Sequence, residues 1–146
     1  MKLLVGIDLS ESTEKIVKKV EEIAKPLSSK VWLLYVAEPE PDFVGFEMDS
    51  QSERDFRSKR FHGEHCRIQE IADRMRKNGL DTTALLVQGA TVETILNEAS
   101  KLDVNMIVVG SHGRSAIYHL LVGSVCEGIL HKSECPILVV PTHERT

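Results

Sequence analysis

The sequence has few cysteines and no long apolar run, and each shortage excludes a class of protein. Its 146 residues include three cysteines, none of them in a CxxC pair, so neither a disulfide framework nor a zinc ribbon is predicted. No stretch approaches the roughly eighteen apolar residues that a membrane span requires. The apolar run before Asp8 is also too short for a secretion signal. We therefore expect a cytoplasmic protein that has no membrane partner.

Positive charge is not in excess either. The chain carries 18 Lys and Arg against 22 Asp and Glu, and the two signs are mixed along it, which argues against a nucleic-acid partner. Any anion-binding site must therefore be local. Two standard nucleotide motifs are missing as well, the GxxxxGK[ST] loop and a GxGxxG after the first strand. The length is that of one domain, residues 1–146.

Five short apolar runs alternate with segments of helical spacing. Most of the runs are continuously apolar, as in strands that are covered on both faces. In the intervening segments apolar residues recur three and four positions apart, as on one face of a helix. The four series begin at Ile16, Ile68, Val92 and Val125. This alternation predicts an α/β fold with a parallel sheet between helices. The predicted strands are Lys2 to Ile7, Val31 to Ala37, Thr82 to Val87, Met106 to Val109 and Ile137 to Val140.

Residues 38–63 break this rhythm. The segment has two prolines, two glycines and dense mixed charge without a clear period. We expect a surface loop in its first half and a helical lead-in in its second. A loop of this length can form a lid or bind a partner, although a solvated excursion is the simpler interpretation. At the end of this segment and just after it, His62, His65 and Cys66 have a spacing that could ligate zinc, but we favour plain surface residues.

The stretch VVGSHGRSAIYHLLVGSV, residues 108–125, contains the spacing Gly110-x2-Gly113-x9-Gly123-Ser124. Glycines let a phosphate approach backbone amides, and a helix that starts at Gly123-Ser124 offers unpaired N–H groups and a positive dipole end. The alternative is that Ser124 and Glu127 form a capping box, which explains the serine without a ligand.

Cationic side chains in the same stretch would strengthen a phosphate site. Arg114 is charged at neutral pH, and His112 or His119 would add charge when protonated. On the other side of the predicted site, Asp8 follows the first strand, and ligands of open parallel sheets bind beyond the carboxyl ends of strands. Its carboxylate could accept a hydrogen bond from a ribose or adenine, or it could cap the helix that begins near Ser10.

Five separated blocks of the chain together resemble the universal stress protein family over nearly the whole length. They are VGIDLSESTEK, LLYVAEP, QGATVETILNEA, MIVVGSHGRS with LLVGSV, and CPILVVP. The glycine pattern is that of the ATP-binding branch of this family. The resemblance implies a Rossmann-like, three-layer sandwich of the adenine nucleotide alpha hydrolase type, with a five-stranded parallel sheet in the order 3-2-1-4-5.

The resemblance also implies positions for the ligand. Asp8, with Ile7 beside it and Ser10 in the following loop, corresponds to residues near the adenosine, and the main chain of Val36 to an adenine contact. His112 and Arg114 lie within the phosphate loop. The ribose and phosphate contacts correspond to Gly110, Gly113, Gly123, Ser124 and Val125. The bound group would be ATP, AMP or ADP, with Mg²⁺ or Mn²⁺ held mainly through the phosphates.

As a member of this family the chain would be a nucleotide-dependent regulator or sensor in the stress response. It would form a homodimer through the last strand, Pro136 to Pro141, and contact protein partners that the sequence does not identify. Two alternatives stay open, a slow ATPase that uses the same site and a dimeric scaffold that needs no nucleotide. His119 and Tyr118 depart from the basic and the small or polar residues that are common at these positions in the family.

Overall fold

The structure is a computed structural model, and it describes residues 1–38, 51–112 and 122–142, with side chains from residue 58 in the second range. Strands and helices alternate along these ranges as the apolar pattern predicts. In chain order they are β1 Lys2–Ile7, α1 Ser12–Ala24, β2 Lys30–Ala37, α2 Gln51–Lys77, β3 Asp81–Gln88, α3 Thr91–Leu102, β4 Met106–Gly110, α4 Ser124–Lys132 and β5 Ile137–Val140.

The five strands form one parallel sheet in the order β3-β2-β1-β4-β5. The predicted fold class and strand order are therefore confirmed. The helices cover both faces of the sheet, which explains why the strands are apolar without alternation. On one face Leu3 and Val5 of β1 pack with α1 and α2. On the other face Leu4 packs with residues of α3 and α4.

The sheet opens between its central strand, β1, and the neighbouring strand β4. The paired residues of β1 and β4 run from Leu3–Met106 to Val5–Val108, although each strand continues for two further residues. In contrast, β1 stays paired with β2 as far as Ile7, and β4 stays paired with β5 as far as Gly110. The chain leaves β1 toward one edge of the sheet and β4 toward the other. This divergence is the switch point at which open α/β folds form a crevice.

Helix α2 is longer than the part of it that contacts the sheet. Its 27 residues extend over about 40 Å, but among its residues from 58 onward, whose side chains are described, the buried apolar ones begin at Ile68 and end at Met75. The preceding turns, from residue 58 to Arg67, are mostly exposed. The helical lead-in expected in the second half of residues 38–63 is confirmed from Gln51 onward. Residues 39–50 lie outside the described part of the chain.

The helix ends where a glycine permits a left-handed turn. Gly79 has φ +91, and the amide of Leu80 donates to the carbonyl oxygen of Met75 at 3.1 Å, which is the pattern of a Schellman cap. This turn directs the chain into β3. In the ranges that the structure describes, no helix has both the length and the apolar character that crossing a bilayer requires.

Candidate functional site

A cavity of about 320 Å³ lies at the carboxyl ends of β1, β2 and β4, at the switch point. We call it the switch cavity. Its size is at the lower end of the range for small-molecule sites in proteins, and it is open to solvent on one side. The described residues that line it are Gly6, Ile7, Asp8, Ile16, Leu34, Tyr35, Val36, Glu38, Arg60, Thr91, Ile95, Val109, Gly110, Ser111, His112, Gly123, Ser124, Val125 and Cys126.

The start of α4 forms one end of the switch cavity. Gly123 adopts an extended conformation (φ −73, ψ 166) and precedes the first helical residue, Ser124. The first hydrogen bond of this helix joins the amide of Glu127 to the carbonyl oxygen of Gly123 at 2.9 Å. The amides of the three residues between them, 124–126, therefore come before the first hydrogen bond of the helix. Amides in this position bind anions, because they lie at the positive end of the helix dipole.

The capping-box alternative for Ser124 is wrong. Gly123 holds the N-cap position, and the helix has no side-chain cap hydrogen bond. Ser124 is one position too late in the chain, because a capping serine must stand before the first helical turn to accept an amide from within it. The exposed Ser124 side chain instead lies at the wall of the switch cavity.

Asp8 organises the loop after β1 instead of capping α1 directly. Its Oδ1 accepts the amide of Ser10 at 3.0 Å and the hydroxyl of Ser10 at 2.5 Å. The Ser10 hydroxyl oxygen in turn accepts the amide of Ser12 at 3.3 Å. The alternative in which Asp8 caps the helix is therefore wrong, since α1 begins at Ser12 and Ser10 stands between the two.

The same loop is held from outside by α2. Leu9 has a left-handed backbone (φ 59) although it is buried, a conformation that costs a bulky residue energy. The guanidinium of Arg67 donates from Nη2 to the carbonyl oxygen of Leu9 at 2.7 Å. This contact ties α2 to the loop that carries Asp8, so the carboxylate reaches the cavity wall from an anchored segment.

A buried polar cluster of Ser111, His112 and Thr142 follows β4 and β5, and two of its members, Ser111 and His112, line the cavity. The Oγ of Ser111 lies 3.0 Å from Nδ1 of His112 and accepts the amide of Thr142 at 3.0 Å. The carbonyl oxygen of Ser111 accepts the amide of Gly123 at 2.6 Å. Through this cluster the ends of β4 and β5 and the start of α4 are joined.

Gly110 has a packing reason to be small. A Cβ at this position would lie 2.9 Å from Cγ2 of Thr142 and 3.1 Å from Cδ1 of Ile16. Both distances are shorter than ordinary van der Waals contacts between carbon atoms. The close approach of α1 and of the segment after β5 is therefore a packing reason for glycine at position 110, which stands beside the predicted phosphate access.

The end of the switch cavity at β2 is lined by side chains that the motif analysis did not identify. The Tyr35 hydroxyl donates to Oε1 of Glu64 at 3.1 Å, and the same oxygen lies 3.3 Å from Nε of Arg60. Across the cavity the Thr91 hydroxyl donates to Oε1 of Glu38 at 2.7 Å. Arg60 is the one lysine or arginine among the described lining residues.

Cys126 is a further lining residue that the motifs did not single out. Its side chain is buried, and burial raises the pKa of the thiol above its usual range because the charged thiolate loses its hydration. The thiol therefore stays protonated at neutral pH and presents a small apolar surface to the cavity.

Eight of the predicted site residues line the switch cavity, and one does not. Ser10 lines a separate surface cleft between α1 and α2 and donates a hydrogen bond to Asp8, which lines the cavity. Gly113 and Arg114 lie outside the described residues, as do Tyr118 and His119. The residues brought together at the cavity are Ile7, Asp8, Val36, Gly110, His112, Gly123, Ser124 and Val125.

The zinc spacing of residues 62–66 lies on the exposed side of α2. Sγ of Cys66 is 3.6 Å from Nε2 of His62. Over the described ranges no three His, Cys, Asp or Glu side chains are grouped closely enough to hold a metal ion.

These features define a class of protein, the open α/β fold whose ligand crevice lies where the strand order reverses. Comparison with known proteins gives the family. The model of the universal stress protein family matches residues 1–141, and the chain belongs to that family.

Relatives in the family are similar over almost the full chain. The universal stress protein MJ0531 of Methanocaldococcus jannaschii is 25% identical, with 95% of this chain and 81% of the relative covered. The solved structure of MJ0577, a universal stress protein of the same organism, is 27% identical with a TM-score of 0.85 and covers 99% of this chain and 97% of that one. A universal stress protein solved in complex with cAMP is 24% identical with a TM-score of 0.70, covers 98% of both chains, and shows the shared fold.

Proposed function

We propose that this protein binds an adenine nucleotide, ATP or its AMP and ADP forms, in the switch cavity. The observation that carries the proposal is the position of the start of α4. Its leading amides, at Ser124 and the two residues after it, open on the same cavity as the Asp8 carboxylate. A helix start suits a phosphate, and a carboxylate accepts hydrogen bonds from ribose hydroxyls or from the adenine amino group.

The shape of the cavity supports an elongated ligand. Strands β2, β1 and β4 are neighbours, so the ends of β2 and β4 are about 10 Å apart. Apolar side chains of Leu34, Val36 and Ile95 line the β2 end, and the start of α4 lies at the β4 end. A base at β2, a ribose at Asp8 and phosphates at α4 would match this order. The solved relative in complex with cAMP indicates that the fold can hold an adenine nucleotide.

We also propose the bound metal ion, the regulatory role and the homodimer that the family resemblance implies. Mg²⁺ or Mn²⁺ would be held mainly through the phosphates. The protein would act in the cytoplasm as a nucleotide-dependent regulator of the stress response. It would form a homodimer through β5, which is an edge strand of four residues, and an edge strand can pair with a second chain.

Gly123→Val tests the proposal by filling the mouth of the helix start. The extended backbone at Gly123 (φ −73, ψ 166) suits a β-branched residue, and its amide bond to Ser111 is kept. We expect calorimetry to show ATP–Mg²⁺ binding by the natural protein and its loss in the variant, with the unfolding temperature maintained.

Gly63→Val is the matched control, because Gly63 lies on an exposed side of α2 and a Cβ there would have no neighbour within 4 Å. This variant is expected to bind as the natural protein does. Mass spectrometry of nucleotide released from freshly purified, denatured protein identifies the ligand. Absence of adenine-nucleotide binding at millimolar concentration by the natural protein rejects the proposal.

A further inference from the structure

The β2 end of the switch cavity carries a charged side chain that comes from α2. Arg60 lies in an exposed part of α2, about two turns before the buried Ile68. Arg60 is one of the residues that line the cavity, whereas the start of α4 lies at the other end. Arg60 therefore stands beside the proposed base position and away from the proposed phosphate position.

Arg60 is held in place by a mostly buried partner. Glu64 is one turn further along α2, and its side chain is 14% exposed while that of Arg60 is 51% exposed. Oε1 of Glu64 lies 3.3 Å from Nε of Arg60 and accepts the Tyr35 hydroxyl at 3.1 Å. Because Tyr35 belongs to β2 and is buried, the guanidinium is tied to the sheet through Glu64.

At this end the cavity is lined by residues from two helices on opposite faces of the sheet. Arg60 comes from α2, which covers one face of the sheet, and Ile95 and Thr91 come from α3, which covers the other. A planar guanidinium stacks on aromatic faces and attracts them electrostatically. A carboxylate that holds the Nε edge, as Glu64 does, sets the plane of the group.

We propose that Arg60 is a specificity-determining residue of this site, which contacts the base of the bound nucleoside through its guanidinium, with Glu64 as its positioning residue. The inference rests on the proposed nucleotide function and adds to it a base contact from α2. Arg60 would therefore contribute to the binding of adenosine, which has no phosphate, as strongly as to the binding of ATP.

The test compares adenosine and ATP–Mg²⁺ affinities of the natural protein, Arg60→Ala and Arg74→Ala by calorimetry. A cation–π contact at a partly exposed site corresponds to an affinity loss of about tenfold on removal. We expect Arg60→Ala to weaken both ligands by about this factor. Arg74→Ala is the matched control, since Arg74 is half-exposed on the same helix and pairs with Glu14 outside the cavity, and it should bind both ligands normally.

A double-mutant cycle with Glu64→Gln distinguishes a role of Glu64 in positioning Arg60 from a general contribution of Glu64 to the fold. The single variant should weaken adenosine binding about threefold, and in an Arg60→Ala background it should have no further effect. Thermal unfolding of each apo variant identifies any general loss of the fold. Additive losses from the two substitutions would overturn the positioning role.

The outcomes distinguish this inference from the function on which it rests. If the natural protein binds neither ATP nor adenosine, both the proposed nucleotide function and the base contact of Arg60 are rejected. If the natural protein binds and Arg60→Ala binds equally well, the base contact alone is overturned. A loss confined to ATP, with adenosine binding unchanged, would make Arg60 a phosphate contact and would also overturn it.

Discussion

A single hydroxyl, that of Thr142, satisfies both backbone groups of His112. Oγ1 of Thr142 donates to the carbonyl oxygen of His112 at 2.9 Å and accepts the amide of His112 at 3.1 Å. Both residues are buried. The segment after β5 thereby fixes the point at which the chain leaves β4 beside the switch cavity.

Thr142→Val should destabilise the protein because valine has the shape of threonine without the hydroxyl. Two buried backbone groups of His112 would lose the partner that they share, and each such loss costs about 1–3 kcal/mol. We expect the free energy of unfolding to fall by about 2–3 kcal/mol in urea denaturation. Thr142→Ser keeps the hydroxyl and should retain most of the stability. Equal losses in the two variants would contradict this explanation.

Gly110→Ala should also destabilise the apo protein, since the added methyl would meet Thr142 and Ile16 at 2.9 and 3.1 Å. Overpacking of this kind costs about 1–3 kcal/mol. Adding Thr142→Ser removes Cγ2, the nearer of the two atoms, and should recover part of the loss. The measurement is again the free energy of unfolding, now as a double-mutant cycle.

Gly6→Ala provides the matched control for Gly110→Ala, because Gly6 lies in the neighbouring strand. A Cβ at Gly6 would be 3.5 Å from Ile95 and Val109, which is an ordinary contact distance. Its stability should change little. A loss as large as that of Gly110→Ala would mean that any side chain at the carboxyl edge of these strands is harmful.

The sheet could be predicted from the sequence because its strands are short, continuously apolar runs with polar or turn-forming residues at their ends. The predicted bounds of β1 and β5 match the structure, and β3 extends the predicted run by Asp81 and Gln88. The partners of these strands are parallel and distant in the chain, so the strand order came from the family resemblance and not from the pattern. Local periodicity contains no information on which strands are neighbours.

The site could be predicted only where residues that are adjacent in the chain form it. The Gly123-Ser124 helix start was found by its local pattern, and Asp8 by its position after an apolar strand. Arg60 and Glu64 lie in exposed turns of α2 without apolar periodicity, so nothing in their neighbourhood indicates that a long helix brings them to β2. The packing role of Gly110 depends on Thr142, which is 32 positions away in the chain.

Alkaline pH should lower the free energy of unfolding through the ionisation of Cys126. Because burial raises the pKa of this thiol in the folded state, its contribution to stability is full below the thiol pKa of the unfolded chain, about 8.5. The contribution is lost as the pH rises through the higher folded value. We expect the free energy of unfolding to decline as the pH rises above the thiol pKa of the unfolded chain and to decline less in Cys126→Ala.

Two variants check the assignment of this pH dependence. Cys66 is exposed, so Cys66→Ala should keep the decline unchanged. Burial also raises the pKa of the Cys135 thiol. Cys135→Ala should therefore show a smaller decline of the free energy of unfolding with pH, namely the part that Cys126 causes. A decline that is the same in the natural protein and Cys126→Ala would show that other groups cause it.

Ser124→Asp should change stability and phosphate binding in opposite directions. A carboxylate in the first turn of α4 interacts favourably with the positive end of the helix dipole and should raise the free energy of unfolding by about 0.3–1 kcal/mol. The same charge would stand where the phosphates of the proposed nucleotide lie, because Ser124 lines the switch cavity. ATP binding should therefore weaken at least tenfold in calorimetry, while adenosine, which carries no phosphate, should bind normally.

Ser124→Asn introduces a side chain of nearly the same size without the charge and should weaken ATP binding much less. If both variants lose ATP equally, the effect is steric; if adenosine is lost as well, the phosphates do not lie at the start of α4.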